Sequence, residues 1–398
     1  MAQEYPSCEW IEGGIAFNRS SIHTCLISHH RHLGLPFVAP YRGGQIPVRE
    51  LLEVREEIRA ANRNGGYPAC CGCAHLKTRA WERREHPIDI VGIAHFARCN
   101  IECNYCYLQT QDPSTFADGF APYALMDAVQ ALIDDGLLAP GAIVDWGGGE
   151  PTVYREFDAL LEKLLAHGTF HYIHTNGTRL PEAVRRTDRV ERIHVICSVD
   201  AGFRETYVGM KKRDLLERVW RNLEEYRALG ARVTVKYIVK DENCSHAELD
   251  AFLSRAIACG MQDLIVDVDY NDPVHAPPVV EAAGRLLHRA RRAGMHARFG
   301  FTGDNHQPET GIGARVAAAC EREERRAVEA MLEKQGYAHG TLDARLAAVF
   351  AVMDEIPGKE AEIRRLAEAL ARLRRPAGVL RMIVSGVLAR VGVIARGD

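Results

Sequence analysis

Twelve cysteines stand among the 398 residues, and three of them, Cys99, Cys103 and Cys106, fall within eight positions as C-x3-C-x2-C. Three thiolates on one short loop can hold three irons of a cubic iron–sulfur cluster. Such clusters are ordinarily held by four cysteines, so a compact triplet leaves one iron open to a small molecule and points to a reactive cluster. The alternatives explain less. Structural zinc favours two separated pairs of ligands, and a disulfide framework belongs to small secreted chains.

A second set precedes the triplet. Cys70-Cys71-Gly72-Cys73 follows the more widely spaced Cys8 and Cys25. Cys8, Cys25, Cys70 and Cys73 supply the four thiolates of a second 4Fe–4S cluster or of a zinc site, with Cys71 as a replacement ligand. His23, His29 and His30 leave a mixed Cys/His site open. Cys244, Cys259 and Cys320 stand alone.

Other chemistry-bearing residues lie at the ends of β-rich runs. The glycines of Gly147-Gly148-Gly149-Glu150 let a backbone approach a ligand closely. Asn176 sits in His174-Thr175-Asn176-Gly177-Thr178, which suits a tight turn as well as a site. Ser198 and Asp200 close another run. Lys236 alternates with apolar neighbours and points to the opposite face from them. A lysine there wants a partner, which Asp267 or Asp269 provides; the pair is either catalytic or a structural ion pair.

These residues need a scaffold. Strand-like runs at Ile88–Phe96, Ala142–Trp146, Phe170–Thr175, Arg192–Val199, Arg232–Val239 and Asp263–Tyr270 alternate with amphipathic stretches at Pro122–Asp135, Glu156–His167, Leu215–Leu229, His246–Cys259 and Pro278–Ala293. Such alternation predicts βαβ units around a parallel sheet. The class is α/β, and six strands predict a partial (β/α)6 TIM-type barrel with function at the C-terminal strand ends. Three units are expected: a Cys-rich, cluster-binding segment over 1–86 with a helix at Val48–Asn62, the barrel over 87–305, and a helical extension over 306–398. The extension carries helix patterns at Arg315–Gln335, Leu342–Met353 and Lys359–Arg375, then an amphipathic tail over Val379–Ile394.

Composition narrows the class. Hydrophobic residues make up 47% and charged residues 26% of the chain, and the net charge is −3, so there is no bulk electrostatic case for nucleic acid. No run of about 18 apolar residues predicts a transmembrane segment. The first residues lack the pattern of a secretory signal, which with the cysteine usage predicts a cytoplasmic protein. The Arg-punctuated tail suits packing or peripheral contact with an anionic membrane.

The triplet with Tyr105 in its aromatic slot, C-x3-C-x-aromatic-C, resembles the radical S-adenosylmethionine (radical SAM) family. The resemblance implies a 4Fe–4S cluster on Cys99, Cys103 and Cys106 whose open iron is chelated by S-adenosylmethionine. It also implies reductive cleavage of that cofactor to a 5′-deoxyadenosyl radical that takes hydrogen from a substrate. Gly147, Gly148, Gly149 and Glu150 resemble the family's GGE motif, which binds the cofactor's amino group. Asn176 resembles its TNG stretch, and Ser198 and Asp200 its SVD segment. These, with Tyr105, are the implied cofactor-binding residues. Residues 1–86 resemble the SPASM/Twitch auxiliary cluster domain, placed before the barrel instead of after it. The implied partners are a reductase such as flavodoxin or ferredoxin and a small-molecule, glycan-precursor or peptide substrate. A metal-binding protein without catalysis is the remaining class, and the intact triplet and glycine run argue against it.

Overall fold

In the computed structural model the described residues are 4–18, 21–25, 37–40, 46–73, 75–82, 84–95, 98–106, 108, 124–269, 271–272, 274–300 and 311–334. Twelve strands occur among them: β1 (Glu4–Ser7), β2 (Gly14–Asn18), β3 (Ser21–His23), β4 (Phe37–Pro40), β5 (Lys77–Ala80), β6 (Ile88–Ala94), β7 (Leu138–Trp146), β8 (Phe170–Thr175), β9 (Ile193–Ser198), β10 (Arg232–Val239), β11 (Asp263–Val268) and β12 (His296–Phe299). The helices are α1 (Glu9–Gly13), α2 (Val48–Arg63), α3 (Leu125–Asp134), α4 (Phe157–His167), α5 (Glu182–Arg186), α6 (Arg204–Lys211), α7 (Leu216–Leu229), α8 (His246–Ala258), α9 (Pro277–Arg292) and α10 (Ile312–Lys334).

One ten-stranded sheet runs β12-β11-β10-β9-β8-β7-β6-β2-β3-β4. The strands from β6 to β12 are parallel, and β2 joins β6 in parallel. This is an α/β partial barrel whose outermost strands, β12 and β4, form the sheet's edges among the described residues. The six expected strands are all present. A seventh parallel strand, β12, extends them; its short His296-Ala297-Arg298-Phe299 run carries too little apolar signal to announce itself.

The helices form where the apolar period is 3.6 residues. Along α7, Leu216, Val219, Trp220, Leu223 and Tyr226 are buried, and the helix closes on Gly230 with φ of 106°, the left-handed conformation that glycine adopts without penalty. Ser245 caps α8 by accepting a hydrogen bond from Glu248 N at 3.2 Å. The opposite sheet face is the polar one and holds the candidate site.

Residues 1–86 hold a two-stranded antiparallel sheet, β1 with β5, and also feed β2, β3 and β4 into the main sheet. β2 runs antiparallel to β3, and Ile15, Ala16 and Phe17 of β2 are wholly buried in the main sheet beside β6. Hydrogen bonding of β2 to β6 ties the segment to the main sheet, and one compact unit runs from Met1 to Val316. The expected helix at 315–335 is α10. Those at 342–353 and 359–375 and the tail at 379–394 lie outside the described residues.

Candidate active site

The cysteine loop leaves β6 and is tied down on three sides. Glu150 N donates to Arg98 O at 2.8 Å; Glu102 N donates to Lys211 O at 3.2 Å and Asn104 N to Met210 O at 2.9 Å, at the end of α6. From the end of β8, Asn176 Nδ2 donates to Asn100 Oδ1 at 2.7 Å and to Cys99 Sγ at 3.5 Å. Asn100 Nδ2 in turn donates to Thr178 Oγ at 2.8 Å. Asn176 thus reaches a sulfur of the triplet itself. Cys99 is exposed as a residue, yet desolvation of its thiol, with Glu150 and Cys103 adding to it, pushes that thiol up to about 12. It stays protonated until a metal displaces the proton.

Glu150 is the hub of the neighbouring turn. Buried at 1% exposure, its Oε1 accepts from Thr152 N at 3.2 Å, Thr152 Oγ at 2.6 Å and Thr175 Oγ at 2.7 Å, and its Oε2 accepts from Asn176 N at 2.6 Å. The carboxylate is spent on fixing the ends of β7 and β8. What the turn can offer a ligand is backbone: Gly148 sits at φ of 87°, and a Cβ on Gly147 would meet no atom within 4 Å. Gly149 completes the turn.

Asp200 is likewise bonded within the protein. It is fully buried and left-handed at φ of 61°. Its Oδ1 accepts from Ile238 N at 2.6 Å. Its Oδ2 takes the Lys211 ammonium at 2.5 Å and the Tyr105 hydroxyl. Both oxygens are engaged by protein groups, one of them the Tyr105 hydroxyl of the cysteine loop. Tyr105 is correspondingly a loop anchor: Lys211 Nζ donates to its hydroxyl oxygen, and Asn271 Nδ2 donates to its carbonyl at 3.1 Å. Burial opposes the Lys211 charge, but Asp200 first and Cys103 next outweigh it and hold the ammonium's pKa above its ordinary value. Ser198 is half-buried and stands beside Lys236 in the sheet register.

On the polar face, Lys236 pairs with Asp267 at 2.9 Å. Asp269 does not share that pair, because β11 ends at Val268 and the alternation ends with it. Its carboxylate instead meets Lys240 at 2.6 Å, and Lys240 Nζ lies 5.7 Å from the centre of the Tyr105 ring. Lower on the face, His174 Nε2 is 3.1 Å from Asp145 Oδ1, and His194 Nε2 is 2.7 Å from Thr234 Oγ. Cys197, on the other face, is fully buried in the core.

The N-terminal cysteines converge in part. Cys8 belongs to an apolar cluster with Trp10, Ile11, Ala16 and Ile58, against which Cys25 and Cys70 pack. Desolvation, reinforced by Cys25 and Cys70, pushes the Cys8 thiol up to about 12. Cys73 is half-buried and its N–H donates to Cys70 O at 2.9 Å; Cys71 is exposed. His23 Nε2 lies 2.7 Å from Ser21 Oγ, while His29 and His30 are outside the described residues. Among the described residues no group of three His, Cys, Asp or Glu side chains converges tightly enough for a single metal ion.

Lys211, Lys240, His174 and Asp145 are site residues that pattern reading missed. Lys211 lies in Met210-Lys211-Lys212-Arg213, which reads as a solvated basic run, and only the fold buries one of its charges.

The donor set suits a cluster: three thiols on a loop held from three sides, beside a backbone turn with open space at Gly147. Residues 93–251 match the family model described as Radical SAM superfamily. The Fe-coproporphyrin III synthase of Methanosarcina barkeri is 29% identical over 150 residues, 37% of this chain and 36% of that one. The mycofactocin maturase MftC of Mycobacterium tuberculosis is 26% identical over 166 residues, 41% of this chain and 40% of that one. The chain thus spans well under half the length of these curated relatives. A solved structure of native anSMEcpe with bound AdoMet aligns with a TM-score of 0.42 at 16% identity, covering 53% of this chain and 63% of that one.

Proposed function

We infer that this chain, which through residues 93–251 belongs to the radical SAM superfamily, is a radical enzyme acting on a polar small molecule or glycan precursor. Its cofactors are a 4Fe–4S cluster and S-adenosylmethionine. When bound, they supply a 5′-deoxyadenosyl radical by one-electron cleavage, and the protein supplies position and shielding. Cys99, Cys103 and Cys106 would hold the cluster. The backbone of Gly147, Gly148 and Gly149 would take the amino group of S-adenosylmethionine, on a turn that the Glu150 side chain fixes from behind. The observation that carries this reading is the three-sided restraint of the cysteine loop, by Glu150, by Asn176 with Thr178, and by the end of α6.

The substrate reading rests on the sheet's polar face. Barrel interiors are ordinarily packed with branched apolar residues. Here mid-strand positions carry His174 with Asp145, His194 with Thr234 and Lys236 with Asp267. Polar side chains that remain partly hydrated fit a ligand rich in hydrogen-bonding groups. Because the charges are already paired within the protein, the face favours a neutral hydroxylated ligand over a strong anion. Lys236 and Asp267 are the catalytic candidates. A second reading, a maturase of a ribosomal peptide, draws on the similarity to the mycofactocin maturase.

Cys8, Cys25, Cys70 and Cys73 are assigned a second 4Fe–4S cluster, supported by the packing of Cys8, Cys25 and Cys70 about one apolar cluster. With four thiolates it would have no open iron and would serve electron transfer or structure. The electron donor is assigned to a flavodoxin or ferredoxin in the cytoplasm; no helix among the described residues is long and apolar enough to cross a membrane.

The test is anaerobic reduction with S-adenosylmethionine, then profiling of sugar, sugar-nucleotide and peptide mixtures for a compound whose consumption tracks 5′-deoxyadenosine. A coupled sugar compound supports the first reading, and a coupled peptide replaces it with the second. Absence of 5′-deoxyadenosine from protein carrying the cluster overturns both.

A further inference from the structure

Lys211 is 2% exposed and Asp200 is fully buried. Taking two charges out of water costs several kcal/mol per ion, and apolar residues of similar volume often serve stability as well. The pair therefore needs another reason to be there, and its surroundings supply one. Lys211 Nζ contacts Asp200 Oδ2 at 2.5 Å, Ser198 O at 3.1 Å and the Tyr105 hydroxyl, and lies 5.0 Å from the centre of the Tyr105 ring. Tyr105 is flanked by Cys103 and Cys106. The backbone of Lys211 and its neighbour Met210 holds Glu102 and Asn104, on either side of Cys103.

The lysine is itself held from both ends. At the start of α6, Glu248 Oε2 accepts from Gly202 N at 2.6 Å and from Phe203 N at 3.3 Å. Asp200, which Lys211 meets at the helix's other end, is fixed by Ile238 N and, through its carbonyl, by Asn243 Nδ2 at 2.8 Å. Asp200 also adopts a left-handed backbone, at φ of 61°, which residues other than glycine adopt at a cost. A left-handed backbone and a buried charge meet at a residue whose carboxylate also takes the Tyr105 hydroxyl of the cysteine loop.

We propose that Lys211 is a positioning residue for the cluster: a buried ammonium, aimed by Asp200 and Tyr105, that raises the reduction potential of the iron–sulfur cluster on Cys99, Cys103 and Cys106. A cluster gains negative charge on reduction, and nearby charge and hydrogen bonds set its potential. A fixed cation within the loop's own hydrogen-bond network favours the reduced form. The inference rests on the triplet holding that cluster.

The experiment is a redox titration of anaerobic holoprotein followed by electron paramagnetic resonance, using the reduced-cluster signal that changes when S-adenosylmethionine is added. Lys211→Met alone would strand the Asp200 carboxylate, and a folding loss would obscure the result. The comparison is therefore wild type against Asp200→Asn with Lys211→Met, a variant that leaves neither a buried anion nor a buried cation unpaired. We expect the double variant to have the lower midpoint, by about tenfold in the reduction equilibrium, or ~59 mV for one electron. Lys211→Arg with Asp200 intact should keep the midpoint on the wild-type side. Equal midpoints with and without Lys211, or a higher one in the double variant, would overturn the proposal. Wild-type protein without a signal responsive to S-adenosylmethionine would instead overturn the cluster assignment beneath it.

Discussion

At the scale of single residues, the site is defined by what its side chains are already doing. Asn176 is the residue that touches both the turn and a sulfur of the triplet. Partners of metal ligands commonly account for 10–100-fold in affinity or activity, so Asn176→Ala should lower 5′-deoxyadenosine formation by about tenfold while leaving the fold intact, measured by product assay beside circular dichroism. Unchanged formation would remove Asn176 from the site. His171 shows the cost of burying a neutral base. Its Nδ1 accepts from Trp146 Nε1 at 3.0 Å and its Nε2 faces Thr169 Oγ at 2.9 Å, and burial depresses its pKa to about 3. The unfolded chain takes up a proton near 6.5 that the folded chain refuses. Stability is therefore full above about pH 6.5 and falls as the pH drops toward 3, at roughly 1.4 kcal/mol per pH unit within that window. Burial likewise depresses His95 to about 3 and His194 to about 4, so urea titrations across this range should show a steeper total slope, which His171→Gln should reduce by roughly 1.4 kcal/mol per pH unit without abolishing it.

At the scale of elements, the strands and helices were largely legible and the side-chain partnerships were not. The βα alternation from Ile88 onward appears as read, because period-2 and period-3.6 patterns report burial directly. β2 was not legible as a member of the main sheet, since pairing with β6 is a long-range choice that local pattern does not encode. Cys99, Cys103 and Cys106 were legible because metal spacing is local. Lys211 with Asp200 was not, because eleven positions separate residues that meet only when α6 folds back on the end of β9. Glu150 was legible as important but its task was not: a carboxylate beside glycines suggests a ligand, and here it accepts four hydrogen bonds from protein. Gly177 tests the element that carries Asn176. At φ of 71°, a Cβ there would come 2.7 Å from Cys197 Sγ. Strain and overlap together should make Gly177→Ala destabilising by about 2 kcal/mol, and iron retention at the triplet should drop with it. A variant of wild-type stability would show that the turn accommodates a side chain.

At the scale of the whole molecule, the two cysteine sets lie in one compact unit joined through the β2–β6 pairing. A chain beginning at residue 87 would expose the partners of Ile15, Ala16 and Phe17, and should not fold to a cooperative state by thermal denaturation; a sharp transition in it would support the independent boundary. Anaerobically purified protein should carry about eight irons, four per cluster. Iron near four with one zinc would leave only the triplet's cluster standing. The central claim is that the triplet performs reductive cleavage of S-adenosylmethionine. Its most direct test is 5′-deoxyadenosine measured by mass spectrometry after anaerobic reduction, for wild-type protein and for Cys99→Ala with Cys103→Ala and Cys106→Ala. The account predicts product from the first and none from the second, with iron of the N-terminal site retained in both. Product from the triple variant, or none from wild-type protein loaded with its cluster, would contradict it.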